Sequence, residues 1–173
     1  MIALKINDIK NFMARLLIKN DFDEYIVEKA EVLTAFEMVV SGRRNAGWYD
    51  TDVWEEMHRQ QAEEAAWMTW GEMKFVVFDF IKGKQTPAHM KISFRLTKRL
   101  AQELLEESGV VGLYQKEQPE LLFQVRYERG ELYVVTGIAF SQFTLDKTLE
   151  RAWDDAMTVC FQKKGISYEK QNE

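Results

Sequence analysis

At 173 residues, 46% hydrophobic and 29% charged with only 2 Pro and 9 Gly, the chain is long enough for one well-buried core and too ordinary in composition for a disordered or repetitive segment. A net charge of −5 argues against a dedicated nucleic-acid binder, whose phosphate contacts usually leave a basic footprint. The lone cysteine, Cys160, excludes an intramolecular disulfide framework and a cysteine-based zinc site. With no apolar run of about 18–20 residues and no basic-then-apolar start, the expectation is a cytoplasmic protein, neither secreted nor membrane-inserted.

No linker or low-complexity tract interrupts the chain, so one domain is expected over residues 1–165, with 166–173 as a frayed tail. A short apolar segment, Ile2 to Ile6, comes first. Asn7 then offers a cap for a helix whose Ile9, Phe12, Met13, Leu16 and Leu17 recur at helical spacing. From Tyr25 to Val40 the alternation of Val32, Thr34, Phe36, Met38 and Val40 with their neighbours predicts one long or broken strand ending at Gly42. Asp50-Thr51-Asp52 with Glu55 signals a surface helix running to about Ala66.

The nearly continuous apolar run Met73 to Ile81 predicts a central strand covered on both faces. Lys82 to Pro87 reads as a turn into a second strand, with Met90, Ile92, Phe94 and Leu96 alternating, so that the two form a hairpin. Thr97 caps the next helix, which ends at Gly109. A second strand pair, Leu121 to Tyr127 and Leu132 to Phe140, leads to a helix with Leu145, Leu149, Ala152, Trp153, Ala156 and Cys160 on one face, ended by Gly165. The expected class is α+β: a mostly antiparallel sheet built from hairpins, with helices on at least one face and a strand-strand-helix echo at 73–109 and 121–165.

Phe80-Ile81-Lys82-Gly83-Lys84-Gln85-Thr86-Pro87 with Lys91-Ile92, and the opening Met1-Ile2-Ala3-Leu4-Lys5-Ile6, resemble a family of short, uncharacterised bacterial proteins, a domain of unknown function. The resemblance implies a stand-alone single-domain protein and carries over no catalytic residue.

Three groups of residues are candidates for chemistry. Trp48, Trp54, Trp67 and Trp70 share a stretch rich in Asp and Glu, suited to a cationic ligand or a partner's surface; the alternative is that the rings pack the helix onto the sheet. Lys82, Lys84, Lys91, Arg95, Lys98 and Arg99 occur with no acidic residue between them, a face for phosphate, nucleic acid or the acidic stretch; the alternative is a solvated or internally paired face. Glu55-x-x-His58 has the spacing of a carboxylate-bridged di-metal helix but lacks a second copy, so no metal site is expected there.

Cys160 is expected to be a buried, inert thiol. The helix after Thr97 opens with Lys98-Arg99 and closes with Glu106-Glu107, against its own dipole. No nucleotide-binding, nucleophile-elbow, zinc-protease or calcium-loop motif is present, and no cofactor is expected. The first expectation is a non-enzymatic interaction or self-assembly domain that binds its own copy or another protein. Second comes an anion- or nucleic-acid-binding module using the basic segment, and third an enzyme with Glu55, Glu56 and His58 as acid/base groups.

Overall fold

The structure is a computed structural model and describes residues 1–83 and 85–171. Alternation of side chains fixes the strands. In β4 (His89–Arg95) Met90, Ile92 and Phe94 are buried while His89, Lys91, Ser93 and Arg95 are only partly covered, the period of two that separates a core face from an outer face. β5 (Glu120–Glu128) and β6 (Glu131–Ala139) alternate in the same way and form the expected hairpin. Its turn holds Arg129 and Gly130 at φ of 54° and 78°, the left-handed pair that matches the twist of two strands.

With β1 (Ala3–Ile6), β2 (Ile26–Leu33), β3 (Glu37–Ser41) and β7 (Tyr168–Gln171), these strands make one seven-stranded sheet in the order β3-β2-β4-β5-β6-β1-β7, and every neighbouring pair is antiparallel. The predicted strand from Tyr25 to Val40 is therefore a hairpin, reversed where the Thr34 N–H donates to the Phe36 carbonyl at 3.0 Å. Residues 168–171, expected to be frayed, are paired with β1, and Ile166 before them is buried.

Six helices accompany the sheet. α1 (Ile9–Leu17) is capped by Asp8, whose carboxylate accepts the Asn11 N–H at 3.0 Å, while Asn7 instead donates to the Ser167 hydroxyl. α2 (Thr51–Gln61) buries no residue, as expected of a surface helix. α3 (Trp70–Ile81) overturns the predicted central strand. A capping box at its start, in which the Glu72 carboxylate accepts the Thr69 N–H at 2.8 Å, commits the segment to a helix. Its run is apolar on several sides because Trp70, Met73 and Val77 face the core, Phe78, Phe80 and Ile81 pack partly against it, and Phe75 points outward. The 73–96 hairpin accordingly does not exist, and the strand-strand-helix echo falls at β2-β3-α2 and β5-β6-α6.

α4 (Lys98–Leu105) is capped by Thr97 as read, its hydroxyl accepting the Leu100 N–H at 3.2 Å. α5 (Val111–Glu117) was not signalled by any periodic stripe. α6 (Thr148–Lys163) buries Leu149, Ala152, Trp153 and Ala156, but Leu145 lies outside it and is exposed. All the helix faces named here join one core with the inner face of the sheet. Its centre is aromatic: Phe94 stacks on Phe123 with ring centroids 4.9 Å apart, Trp70 meets Phe94 edge-on at 5.4 Å, and the Trp70 indole donates to the Leu16 carbonyl. The chain is thus an α+β protein, and no helix among the described residues is long and apolar enough to cross a membrane.

Candidate interaction surface

Beyond β3 the chain makes an excursion whose two ends are tied together. The Arg44 N–H donates to the Ala66 carbonyl at 2.8 Å and the Met68 N–H to the Gly42 carbonyl at 2.7 Å; on its other side Met68 accepts from the Val27 N–H at 3.0 Å. Residues 66–68 thus wedge between the end of β3 and the start of β2, next to Glu28, where the pairing of β2 with β4 is bulged. Only glycine fits at position 42, because a Cβ there would lie 1.7 Å from the Val27 carbonyl oxygen. The arm so delimited, residues 45–65, carries α2 and stands on the outer side of the fold.

Two of the four clustered tryptophans are consumed by the fold. Trp70 is core, and Trp67 lies between two guanidiniums, with Arg95 5.0 Å and Arg43 5.8 Å from its ring centroid. Trp48, 83% exposed, and Trp54, half-buried against Tyr49 and His58, remain on the arm.

The basic segment does not form one patch. Lys82 pairs with Asp79 at the end of α3, and Lys84 lies outside the described residues. Arg95 sits at the far end of β4, its side chain only 16% exposed between Glu120 at 2.5 Å and Glu28 at 3.7 Å. Arg99 pairs with Glu24 and Glu103. Lys91 shares the outer face of β4 with Arg95, opposite Glu31 on β2 and Arg126 on β5. Lys98 begins α4, where its backbone N–H is taken by Glu64 from the arm. The acidic and basic stretches therefore meet within one molecule at the Arg95 end, around a polar cavity of about 330 Å³ lined by Glu64, Trp67, Arg95, Lys98, Tyr114 and Glu120. Burial holds the Glu28 carboxyl above its ordinary range despite the pull of Arg95, and the like charge of Glu120 adds to the rise.

On the arm, the His58 ring bonds the Trp54 carbonyl at 3.0 Å, and Glu56 is engaged by Arg59 and Gln60. Among the described residues no side-chain hydrogen bond or ion pair engages Glu55. No cluster of three metal-ligating side chains occurs among the described residues. Cys160 is half-buried beside Tyr25 in a groove of about 770 Å³ between α4 and α6, and its desolvation pushes the thiol up.

Sequence reading missed Arg44, whose guanidinium is nearly buried and meets the Glu72 carboxylate at 2.8 and 2.9 Å, the Tyr49 hydroxyl and the Met68 sulfur. The Thr69-x-x-Glu72 spacing was a legible signal for half of that cluster. Also unread was the apolar exposure along the β3 side. Among the described residues eleven large hydrophobic side chains are exposed, and six of them, Leu33, Phe36, Val39, Trp48, Val53 and Phe75, belong to β2, the turn after it, β3, the arm and α3.

The chain matches no curated protein and no solved structure. Residues 15–169, an α+β unit from α1 to β7, match the model of a family of unknown function (DUF5721), and the chain belongs to that family.

Proposed function

We propose that this chain is a non-enzymatic assembly module that associates through its β3 side, with a second copy of itself as the partner. What supports the reading is exposed apolar surface on the terminal strand and its flanks: Val39 on β3, Phe36 in the turn that leads into it, packed on Phe80 of α3, and Trp48 on the arm that follows it. An exposed valine on a strand edge with an open phenylalanine and tryptophan on the segments flanking it has the residue types of an interface anchor. Lys82, Arg95 and Arg99 of the basic segment are each paired with an acidic neighbour, which weakens the anion-binding reading.

Native mass spectrometry and light scattering over a range of protein concentrations test the proposal. A dimer, or a reversible monomer–dimer equilibrium, is the expected result. A strict monomer at every concentration overturns it.

A further inference from the structure

We infer that the outer edge of β3 pairs antiparallel with β3 of a second copy, centred on Val39, joining two seven-stranded sheets about a twofold axis. This deepens the self-association proposed above and rests on it.

The backbone supplies the first argument. β3 is the terminal strand of the sheet, so among the described residues no strand pairs with its other side. Against β2 the register pairs Lys29 with Ser41, Glu31 with Val39 and Leu33 with Glu37. The bonds at its two ends, Thr34 N–H to Phe36 O and Gly42 N–H to Glu28 O, set the phase: Phe36, Met38, Val40 and Gly42 turn their backbone groups inward to β2. Glu37, Val39 and Ser41 therefore present their N–H and C=O groups outward, and all three are exposed. The wedge at 66–68 lies on the inner side, because Gly42 bonds both Glu28 and Met68, so it does not cover this edge.

The two sheet edges are also protected differently. β7 carries Glu169 and Lys170 within four residues, the charged composition that keeps edge strands apart. β3, Glu-Met-Val-Val-Ser, has no proline, no lysine and no bulge within its pairing to β2, and Val39 on it is 52% exposed. Its guards are its shortness and the single charge of Glu37 at one end.

The sequence around Val39 is complementary to itself in one direction only. Antiparallel pairing centred on Val39 makes Glu37 face Ser41 of the second copy, Met38 face Val40 and Val39 face itself, so each outward position becomes a hydrogen-bonded pair. Glu37, for which the described residues supply no ion-pair partner, lies diagonal to the second copy's Arg43, within reach of a long side chain. Phe36 falls opposite the second copy's Gly42, which has no side chain to meet the ring. Centring on Glu37, or pairing in parallel, would instead set glutamate against glutamate, a destabilising opposition. A five-residue ladder alone is too small for a stable interface, and the exposed ring of Phe36, just before the strand, adds apolar area to it.

Val39→Pro tests this. Its missing N–H faces outward, so the β2–β3 ladder keeps every bond and an edge strand tolerates the ring, while both central bonds of the dimer vanish. Sedimentation equilibrium is expected to show a dimer for the parent chain and association weakened on the order of tenfold or more for the variant. Circular dichroism confirms that the variant folds; if it does not, the Glu37→Arg and Arg43→Glu changes replace it, each weakening the dimer alone and restoring it together. A parent dimer that survives both sets unchanged overturns this interface while leaving self-association standing. A monomeric parent removes both.

Discussion

The Glu64 carboxylate accepts the backbone N–H of Lys98 at 2.7 Å, so a residue of the arm closes the first turn of α4. This answers the apparent conflict at that helix. Lys98-Arg99 at a positive helix end is unfavourable alone, but Glu64 brings the negative charge that end prefers, and Arg99 turns to Glu24 and Glu103. At the other end Glu107 meets Lys163 of α6 at 3.2 Å. Glu64→Ala is expected to cost about 1 kcal/mol in urea denaturation and to raise hydrogen exchange in the arm, since its latch to α4 is lost. Unchanged exchange there would show the arm to be held by its base alone.

Gly42 is expected to be intolerant. Gly42→Ala drives a Cβ into the Val27 carbonyl, and relief requires the wedge at 66–68 to move. A loss of about 3 kcal/mol is anticipated, read from the shift in the denaturation midpoint. A variant of parental stability would mean that the strands part more easily than the bonds between them suggest.

Glu72 gives the pH dependence a sign. Desolvation works to raise its pKa, but hydrogen bonds from Thr69 and the guanidinium of Arg44 outweigh it, and the folded value lies below the ordinary 4.5. A depressed carboxyl contributes stability that is fully present above its unfolded pKa and is lost as pH falls through the folded one. Glu72→Gln should therefore be less stable than the parent by about 1–2 kcal/mol near neutrality, with the gap closing in acid. A gap independent of pH would assign the loss to shape and not to charge.

The tryptophans separate fold from surface. Trp70→Ala empties a fully buried site and strands the Leu16 carbonyl, an expected loss of about 3–5 kcal/mol. Trp48→Ala should leave the denaturation curve within about 0.5 kcal/mol yet weaken association. If Trp48→Ala leaves the oligomer intact, the interface does not extend onto the arm.

Elements whose burial follows their own periodicity were legible. β4, β5, β6 and the apolar face of α6 could be read from alternation or helical spacing, and the family resemblance at Phe80 to Pro87 agrees with the match over residues 15–169. α3 misled because Phe75-Val76-Val77-Phe78 has the composition of a buried strand; the helix is decided at its first turn by Thr69 and Glu72, which the apolar run obscures. α5 has seven residues with Gly112 among them, too few for a stripe to repeat. β7 is polar because it is an edge, and only its register on β1 makes it a strand. The Arg95 cluster was half visible: the run of cations is in the sequence, but the carboxylates Glu24, Glu28 and Glu120 that pair with Arg95 and Arg99, and Glu64 on the Lys98 backbone N–H, arrive from elsewhere through pairing that no local pattern announces. The β3 edge was hidden for the same reason, since which strand ends a sheet is a property of topology.

That topology sets a schedule for the chain as it is made. β1 takes its neighbours from β6 and β7, with Ala3 facing both Val135 and Gln171. Leu4 and Ile6, fully sequestered in the finished protein, are synthesised early and have no strand to join until more than three-quarters of the chain has left the ribosome. The β2–β3 hairpin, by contrast, closes over a few residues and is ready first, with its outer edge already bare. Nascent chains on one polysome would thus display the edge proposed for self-association before their own sheets are complete, and if that proposal holds, the timing of translation shapes pairing alongside equilibrium affinity.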